Sequence, residues 1–285
     1  MQTILQSPLE DAEPEEHGII NQKEAKMVTA GIDVGIKTVK AVIVKDKEII
    51  ASGIAPSDGF ERSKAAEQLW NDVLQKAKLS ASDVDTVIAT GTGKMDVSFA
   101  SNNIVEPVAN VQAALLLFPS GRTVIDIGAE QIRVVKYDET GKVSNYTLNQ
   151  QCGAGLGTFA ESMARALGVT LDEMSKLAAE SKNETPINAE CGVYASLDVV
   201  TLIHDNTAKA DIARAVVDAI AAKINATANL TNIDKPIVLI GGVAHSEGIV
   251  DALKRRMGVD FLIPKEPELA GALGAAVIGA SQTLQ

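Results

Sequence analysis

A chain of 285 residues that is 46% hydrophobic but only 3% aromatic can fill one large or two medium cores, and those cores must be aliphatic and alanine-rich. Its formal net charge of −11 excludes a general nucleic-acid binder, which needs a basic face to meet phosphates. No window reaches the run of about 18 apolar residues that spans a bilayer, and two cysteines are too few for a small secreted disulfide scaffold.

Residues 1–26 carry six acids and two lysines without an apolar core, the opposite of a signal peptide, and are expected to form a disordered or partner-docking arm on a cytoplasmic protein. Val28 to Asp33, Val39 to Val44 and Ile49 to Gly53 then read as a three-strand meander. Phe60 to Lys78 has helical periodicity, with Leu69, Val73 and Ala77 on one face and Trp70 and Leu74 beside them; Trp70 is expected in a core or a domain interface. Val84 to Thr90 is a strand that runs into Thr90-Gly91-Thr92-Gly93-Lys94. Ile88 stands where a P-loop has its first glycine and Met95 where it has Ser or Thr, so what remains is a glycine-rich turn near a nucleotide. Val108 to Phe118 is a short apolar helix, and Pro119-Ser120-Gly121 closes a first lobe, residues 27–121.

The second lobe, residues 122–285, opens with its own hairpins through about Leu148. Cys152-Gly153-Ala154-Gly155-Leu156-Gly157 precedes a helix from about Thr158 to Leu167, and another begins near Thr170 with Leu171-Asp172-Glu173 as its first turn. Ser181 to Asn188 is a polar loop, and Cys191 leads a helical pattern through His204. Ala208 to Leu230 is a long amphipathic helix with Ile212, Val216, Ile220 and Ile224 at four-residue spacing. A strand, Pro236 to Ile240, ends in Gly241-Gly242-Val243-Ala244, a helix follows, Val259 to Ile263 is a last strand, and the small-residue run Ala270 to Ala280 is a closely packed final helix that could return to the first lobe.

Two stretches organise these elements: Gly31-Ile32-Asp33-Val34-Gly35 and Val124-Ile125-Asp126-Ile127-Gly128. Each is an apolar run ending in Asp-x-Gly, followed by a second strand, a charged turn and a third strand. A glycine at the end of a buried strand turns the backbone tightly and exposes amides to a phosphate, and the neighbouring Asp can hold a metal ion or its water shell. One copy is an ordinary turn; two in the same context suggest hairpins gripping a polyphosphate and its Mg²⁺ from both sides. Lys37 could neutralise phosphate charge, whereas Lys40 is expected at the surface if strand alternation turns it outward. Gly241-Gly242 suits close backbone approach of a ligand at a helix N-terminus. The default for a cysteine in such a protein is an inert core residue. Cys152 and Cys191, however, both stand near helix N-termini, where a thiolate or an anionic thiolate–metal cluster is favoured. Two thiolates do not complete a four-cysteine site, but a symmetric dimer supplies four, so a subunit-bridging iron–sulfur cluster is sensible, with mononuclear zinc on the same residues as the alternative. His17, His204 and His245 show no ligand spacing.

The paired Asp-x-Gly hairpins with a later Gly-Gly resemble the nucleotide clamp of the actin, sugar-kinase and heat-shock chaperone superfamily. Within it, Cys152-x-Ala154-Gly155-x-Gly157, Cys191-x-Val193-x-Ala195, Gly241-Gly242-Val243-Ala244 and Gly271-Ala272-Leu273-Gly274-Ala275-Ala276 resemble the activators of 2-hydroxyacyl-CoA dehydratases and the ATPase subunits of benzoyl-CoA reductases, over roughly residues 28–280. The resemblance implies an α/β, two-lobed actin-like ATPase fold with a duplicated β-meander. It further implies Mg-ATP held by Asp33 and Asp126 through metal-bound water, by Gly35, Lys37, Thr38 and Gly128, and by Gly241, Gly242, Val243 and Ala244 at the adenosine. One 4Fe-4S cluster per homodimer, or per heterodimer with a paralogous subunit, would sit on Cys152 and Cys191. Ferredoxin or flavodoxin would be the reductant, and an iron–sulfur dehydratase or reductase component the electron acceptor; neither nucleic acid nor membrane is a partner.

The pattern departs from that family in three places. Ile36 replaces a Ser or Thr, Ala129-Glu130-Gln131 replaces Gly-Gln-Asp, and Ser196-Leu197 replaces Glu-Ser. Glu130 is then the candidate to position the hydrolytic water. The alternatives are a non-catalytic or weakly active nucleotide-binding subunit of a hetero-oligomeric reductase, which these departures favour, and a small-molecule kinase, for which no acceptor pocket stands out.

Overall fold

In the computed structural model, which describes residues 27–57, 61–149 and 155–282, the chain builds a five-stranded sheet and then builds it again. The first meander is β1 (Val28–Val34), β2 (Thr38–Lys45) and β3 (Glu48–Pro56), followed by α1 (Arg62–Ala77), β4 (Thr86–Thr90), the two-residue β5 (Asn102–Asn103) and α2 (Glu106–Leu117). The second is β6 (Thr123–Ile127), β7 (Ile132–Tyr137) and β8 (Val143–Asn149). Four helices follow, α3 (Leu156–Leu167), α4 (Leu171–Glu180), α5 (Gly192–His204) and α6 (Lys209–Thr231), and then β9 (Ile237–Ile240), α7 (Glu247–Met257), β10 (Phe261–Leu262) and α8 (Ala270–Gln282). The 1–26 arm lies outside the described residues.

The sheet orders are β3-β2-β1-β4-β5 and, read in the matching direction, β8-β7-β6-β9-β10. In each, the hairpins are antiparallel and the two later strands join in parallel. The likeness extends to single residues. Asp33 lies opposite Lys40 on β2 and beside Thr90 on β4, while Asp126 lies opposite Arg133 on β7 and beside Ile240 on β9. Duplication therefore reaches the register, which a one-residue slip would have destroyed by turning every side chain to the other face.

Helix α1 lays Ala66, Leu69, Trp70, Val73 and Leu74 on the first sheet, the spacing of one helical face, and Trp70 stacks on Phe99 with ring centroids 5.6 Å apart. The opposite face of β1 is covered by α8 at backbone-contact range. A Cβ on Gly31 would lie 2.6 Å from the Ala276 amide nitrogen, and one on Gly274 would lie 2.5 Å from the Ala109 carbonyl carbon in α2. Thr29 completes this seam by donating its hydroxyl to the Ala276 carbonyl at 2.8 Å. The second core gathers α3, α4, α6 and α7 over β6, β7 and β9, with Ile212, Val216, Ile220 and Ile224 of α6 all buried.

Several element boundaries differ from those read in the sequence. Helix α1 stops at Ala77 because Lys78 takes a left-handed conformation, φ 57°, and closes the helix with its own amide. Helix α2 starts at Glu106 rather than Val108, because Pro107 occupies the first turn, where its missing N–H has no helical acceptor to lose. Of Val259 to Ile263, only Phe261 and Leu262 pair with β9.

Candidate functional site

The two sheets turn the ends of β1 and β6 towards each other across a cleft of about 260 Å³ that is open to solvent. At each wall a parallel strand ends in a glycine in the left-handed region, Gly91 at φ 92° after β4 and Gly241 at φ 90° after β9. A Cβ there would stand 2.5 Å from Asp33 Oδ1 at Gly91 and 2.7 Å from Asp126 Oδ1 at Gly241. Each aspartate is thus seated against a glycine turn that has room for the carboxylate only because no side chain is present. Gly91 is the internal counterpart of Gly241, an equivalence that comparison with a P-loop hides.

The hairpin tips repeat the same construction. Gly35 donates its amide to the Thr38 carbonyl and Gly128 donates to the Gln131 carbonyl, both at 3.0 Å. The predicted phosphate-facing amides of Gly35 and Gly128 are therefore spent on closing the turns. Instead, the amides between those ends, on Ile36 and Lys37 and on Ala129 and Glu130, lack an acceptor among the described residues. Such paired unsatisfied donors are suited to phosphate oxygens.

Charge is distributed unequally between the two halves. Lys40, expected at the surface, faces the cleft with its side chain 15% exposed and bridges Asp33 Oδ2 at 3.3 Å. Its cross-strand position puts it on the Asp33 face. On the other side the Arg133 guanidinium donates to Asp126 Oδ2 at 3.1 Å, to Glu106 Oε1 at 2.8 Å and to the Gln131 side chain, while Asn110 adds a bond to Asp126 Oδ2 at 3.0 Å. Lys37, expected on phosphate, reaches across the cleft to Glu161 of α3 at 2.5 Å. Six acids line the cleft (Asp33, Glu106, Asp126, Glu130, Glu161 and Glu268) against three cations (Lys37, Lys40 and Arg133), a net charge of −3. A bare polyphosphate would be repelled, so the cleft suits one that brings a divalent cation. No group of three or more metal-ligating side chains occurs among the described residues.

Thr38, Glu130, Gly242 and Val243 line the cleft with the residues already described, but Ala244 does not: it is 7% exposed and packs into the second core. Sequence reading passed over Glu106, Asn110, Arg133, Glu161 and Glu268. His245, expected to be structural or solvated, meets Glu268 at the cleft edge, Nε2 to Oε2 at 2.5 Å. Cys152 lies outside the described residues. Cys191 is a free, partly exposed thiol at the N-cap of α5, its amide donating to Asn188 Oδ1 at 2.8 Å. Beyond it α5 leaves Val193, Tyr194, Leu197, Val200 and Ile203 exposed, the first two at 63% and 62%. An apolar stripe of this kind on a helix has the character of a surface awaiting a partner.

A model of the BadF/BadG/BcrA/BcrD ATPase family matches residues 30–279. A benzoyl-CoA reductase subunit of Thauera aromatica is 32% identical over 263 residues, covering 89% of this chain and 93% of that protein. The crystal structure of (R)-2-hydroxyglutaryl-CoA dehydratase component A from Acidaminococcus fermentans superimposes with a TM-score of 0.86 at 30% identity, covering 91% of this chain and 100% of the other. The activator of 2-hydroxyisocaproyl-CoA dehydratase from Clostridium difficile with bound ADPNP gives 0.83 at 30% identity, covering 91% and 98%.

Proposed function

The chain belongs to the BadF/BadG/BcrA/BcrD ATPase family, and from that premise we propose that it is an ATP-driven electron donor to a partner iron–sulfur enzyme acting on an acyl-CoA thioester. The observation that carries the nucleotide half is the twofold repetition of aspartate against glycine turn, Asp33 with Gly91 and Asp126 with Gly241, around one cleft of net negative charge. Asp33 and Asp126 would hold the water shell of Mg²⁺, the hairpin-tip amides the phosphates, and the Gly241-Gly242 turn the nucleoside. Glu130, which lines the cleft on the tip of the second hairpin, would orient the attacking water. Of the two aspartates Asp33 is the freer to meet the metal, since Asp126 already accepts from Arg133 and Asn110.

The redox half rests on Cys191, on Cys152, and on the uncovered face of α5. Two subunits meeting there, identical or paralogous, would share a 4Fe-4S cluster, which supplies one-electron chemistry at low potential when bound. Helix α3 begins against the second hairpin, where Thr158 donates its amide to the Ala129 carbonyl at 3.1 Å. Nucleotide-dependent movement of that hairpin would therefore reach the segment that holds Cys152. ATP can bias such a rearrangement only by its differential affinity for the two states.

The test is to purify the protein without oxygen, measure iron and acid-labile sulfide per dimer, and record electron paramagnetic resonance after reduction. Both elements and a reduced-cluster signal are expected, and Cys191→Ser should lose them while retaining nucleotide binding. Absence of both after cluster reconstitution would sink the redox reading.

A further inference from the structure

We propose that Glu161 sets how tightly the cleft holds a nucleoside triphosphate, by competing with its terminal phosphate for Lys37. This deepens the ATPase reading of the same cleft and rests on it. Lys37 stands on the tip between β1 and β2, Glu161 on the second turn of α3, and their contact at 2.5 Å spans the cleft between residues 124 positions apart. The other two cations of the cleft are committed to largely buried carboxylates, Lys40 to Asp33 and Arg133 to Asp126 and to Glu106 of α2. Lys37 is the most exposed of the three.

Both side chains are more than a third exposed, 38% for Lys37 and 43% for Glu161, so the pair contributes little by itself and yields to a stronger anion. A terminal phosphate is that anion, with close to two negative charges and three acceptor oxygens against one carboxylate. When Lys37 leaves, Glu161 is not stranded, because Arg165 lies one helical turn further on, its Nη1 3.9 Å from the same oxygen. With the nucleoside at Gly241-Gly242, a phosphate chain extending to the hairpin tips would bring its far end to Lys37, which lines the same cleft. A diphosphate is one group shorter and leaves the pair closed. Glu161 therefore acts as a positioning residue whose removal favours the triphosphate selectively.

The experiment is calorimetric titration of the full chain with the Mg²⁺ complexes of ADPNP and ADP, for wild type, Glu161→Gln, Lys37→Met and the double variant. Glu161→Gln is expected to bind Mg-ADPNP about three- to tenfold more tightly while Mg-ADP changes less than about twofold. Lys37→Met should weaken Mg-ADPNP about tenfold and abolish the effect of Glu161→Gln. The charge-reversed pair, Lys37→Glu with Glu161→Lys, restores the contact but presents no cation on the first hairpin, and should bind Mg-ADPNP as weakly as Lys37→Met. Unchanged or weaker Mg-ADPNP binding by Glu161→Gln, an equal gain for Mg-ADP, or the same gain in the Lys37→Met background would overturn the proposal and leave the ATPase reading standing. Failure of the wild type to bind either nucleotide would overturn the ATPase reading, and the proposal with it.

Discussion

Replacing Gly91 with alanine tests whether the second glycine turn serves the site as the first does. At φ 92° an L side chain is strained, and its Cβ would lie 2.5 Å from Asp33 Oδ1, a separation that real structures do not hold. Backbone strain contributes about 1–2 kcal/mol, and displacing the carboxylate or the β4 end brings the total to roughly 2–4 kcal/mol. For a chain of this size that corresponds to a fall of roughly 4–10 °C in the unfolding midpoint. The larger effect should be on turnover, because the atom that must move belongs to the aspartate proposed to face the metal. Gly241→Ala should behave alike through Asp126. Gly242→Ala is the control: a Cβ there meets nothing within 4 Å, so stability should hold within about 0.5 kcal/mol. Thermal unfolding of all three variants, with Mg-ATP turnover of Gly91→Ala and Gly241→Ala, decides the matter. If Gly91→Ala keeps wild-type turnover and midpoint, or if Gly242→Ala is as destabilising, the twofold reading of the cleft is wrong.

Asp33→Asn should lower Mg-ATP turnover by at least about tenfold, since it removes the freer metal-facing carboxylate; a phosphate-release assay showing unchanged turnover would count against that role. Arg133→Met leaves Asp126 and Glu106 largely buried without their shared counter-charge and should cost about 2–4 kcal/mol in urea unfolding without nucleotide; a loss under about 0.5 kcal/mol would show that the network does not hold the hairpin. Tyr137 is 2% exposed, its hydroxyl has no partner among the described residues, and burial pushes its pKa up to about 12. Tyr137→Phe should therefore be neutral or up to about 1 kcal/mol more stable at pH 7. Between about pH 10 and 12 the unfolded tyrosine ionises while the buried one keeps its proton, so the wild type should lose up to roughly 2–3 kcal/mol that the variant keeps. Parallel pH dependences of the two unfolding curves would refute this.

The fold was legible because it is written twice, in apolar runs whose Asp-x-Gly endings mark where strands stop and turns begin. What escaped was contact between distant residues. Lys40 looks like a surface lysine until the register sets it across from Asp33, and Arg133 reads as an ordinary strand cation until Glu106 and Asp126 converge on it. Glu106 escaped because the apolar pattern begins at Val108, whereas Glu106 and Pro107 form the first turn of the helix. Glu161 and Glu268 carry no local signature, since their partners Lys37 and His245 lie on other elements. The reverse error also occurred: Ala244 belongs to a nucleotide motif by spacing, yet it points into the core. The BadF/BadG/BcrA/BcrD family match supports the ATPase assignment, whereas the network around Arg133 and the Lys37–Glu161 pair are properties seen only in the folded chain.

The seam between β1 and α8 also has a consequence for synthesis. A ribosome emits β1 near the start of the chain and α8 at its end, yet Gly31 and Thr29 of the one sit in backbone contact with Ala276 of the other. Until the last helix emerges, the first sheet can be closed by α1 on one side only, and Val42 and Val44, which share a core with Ala272, Leu273 and Ala276, lack that cover. The nascent first half must therefore wait with part of its apolar face open, and the cleft is completed only when α8 packs against it.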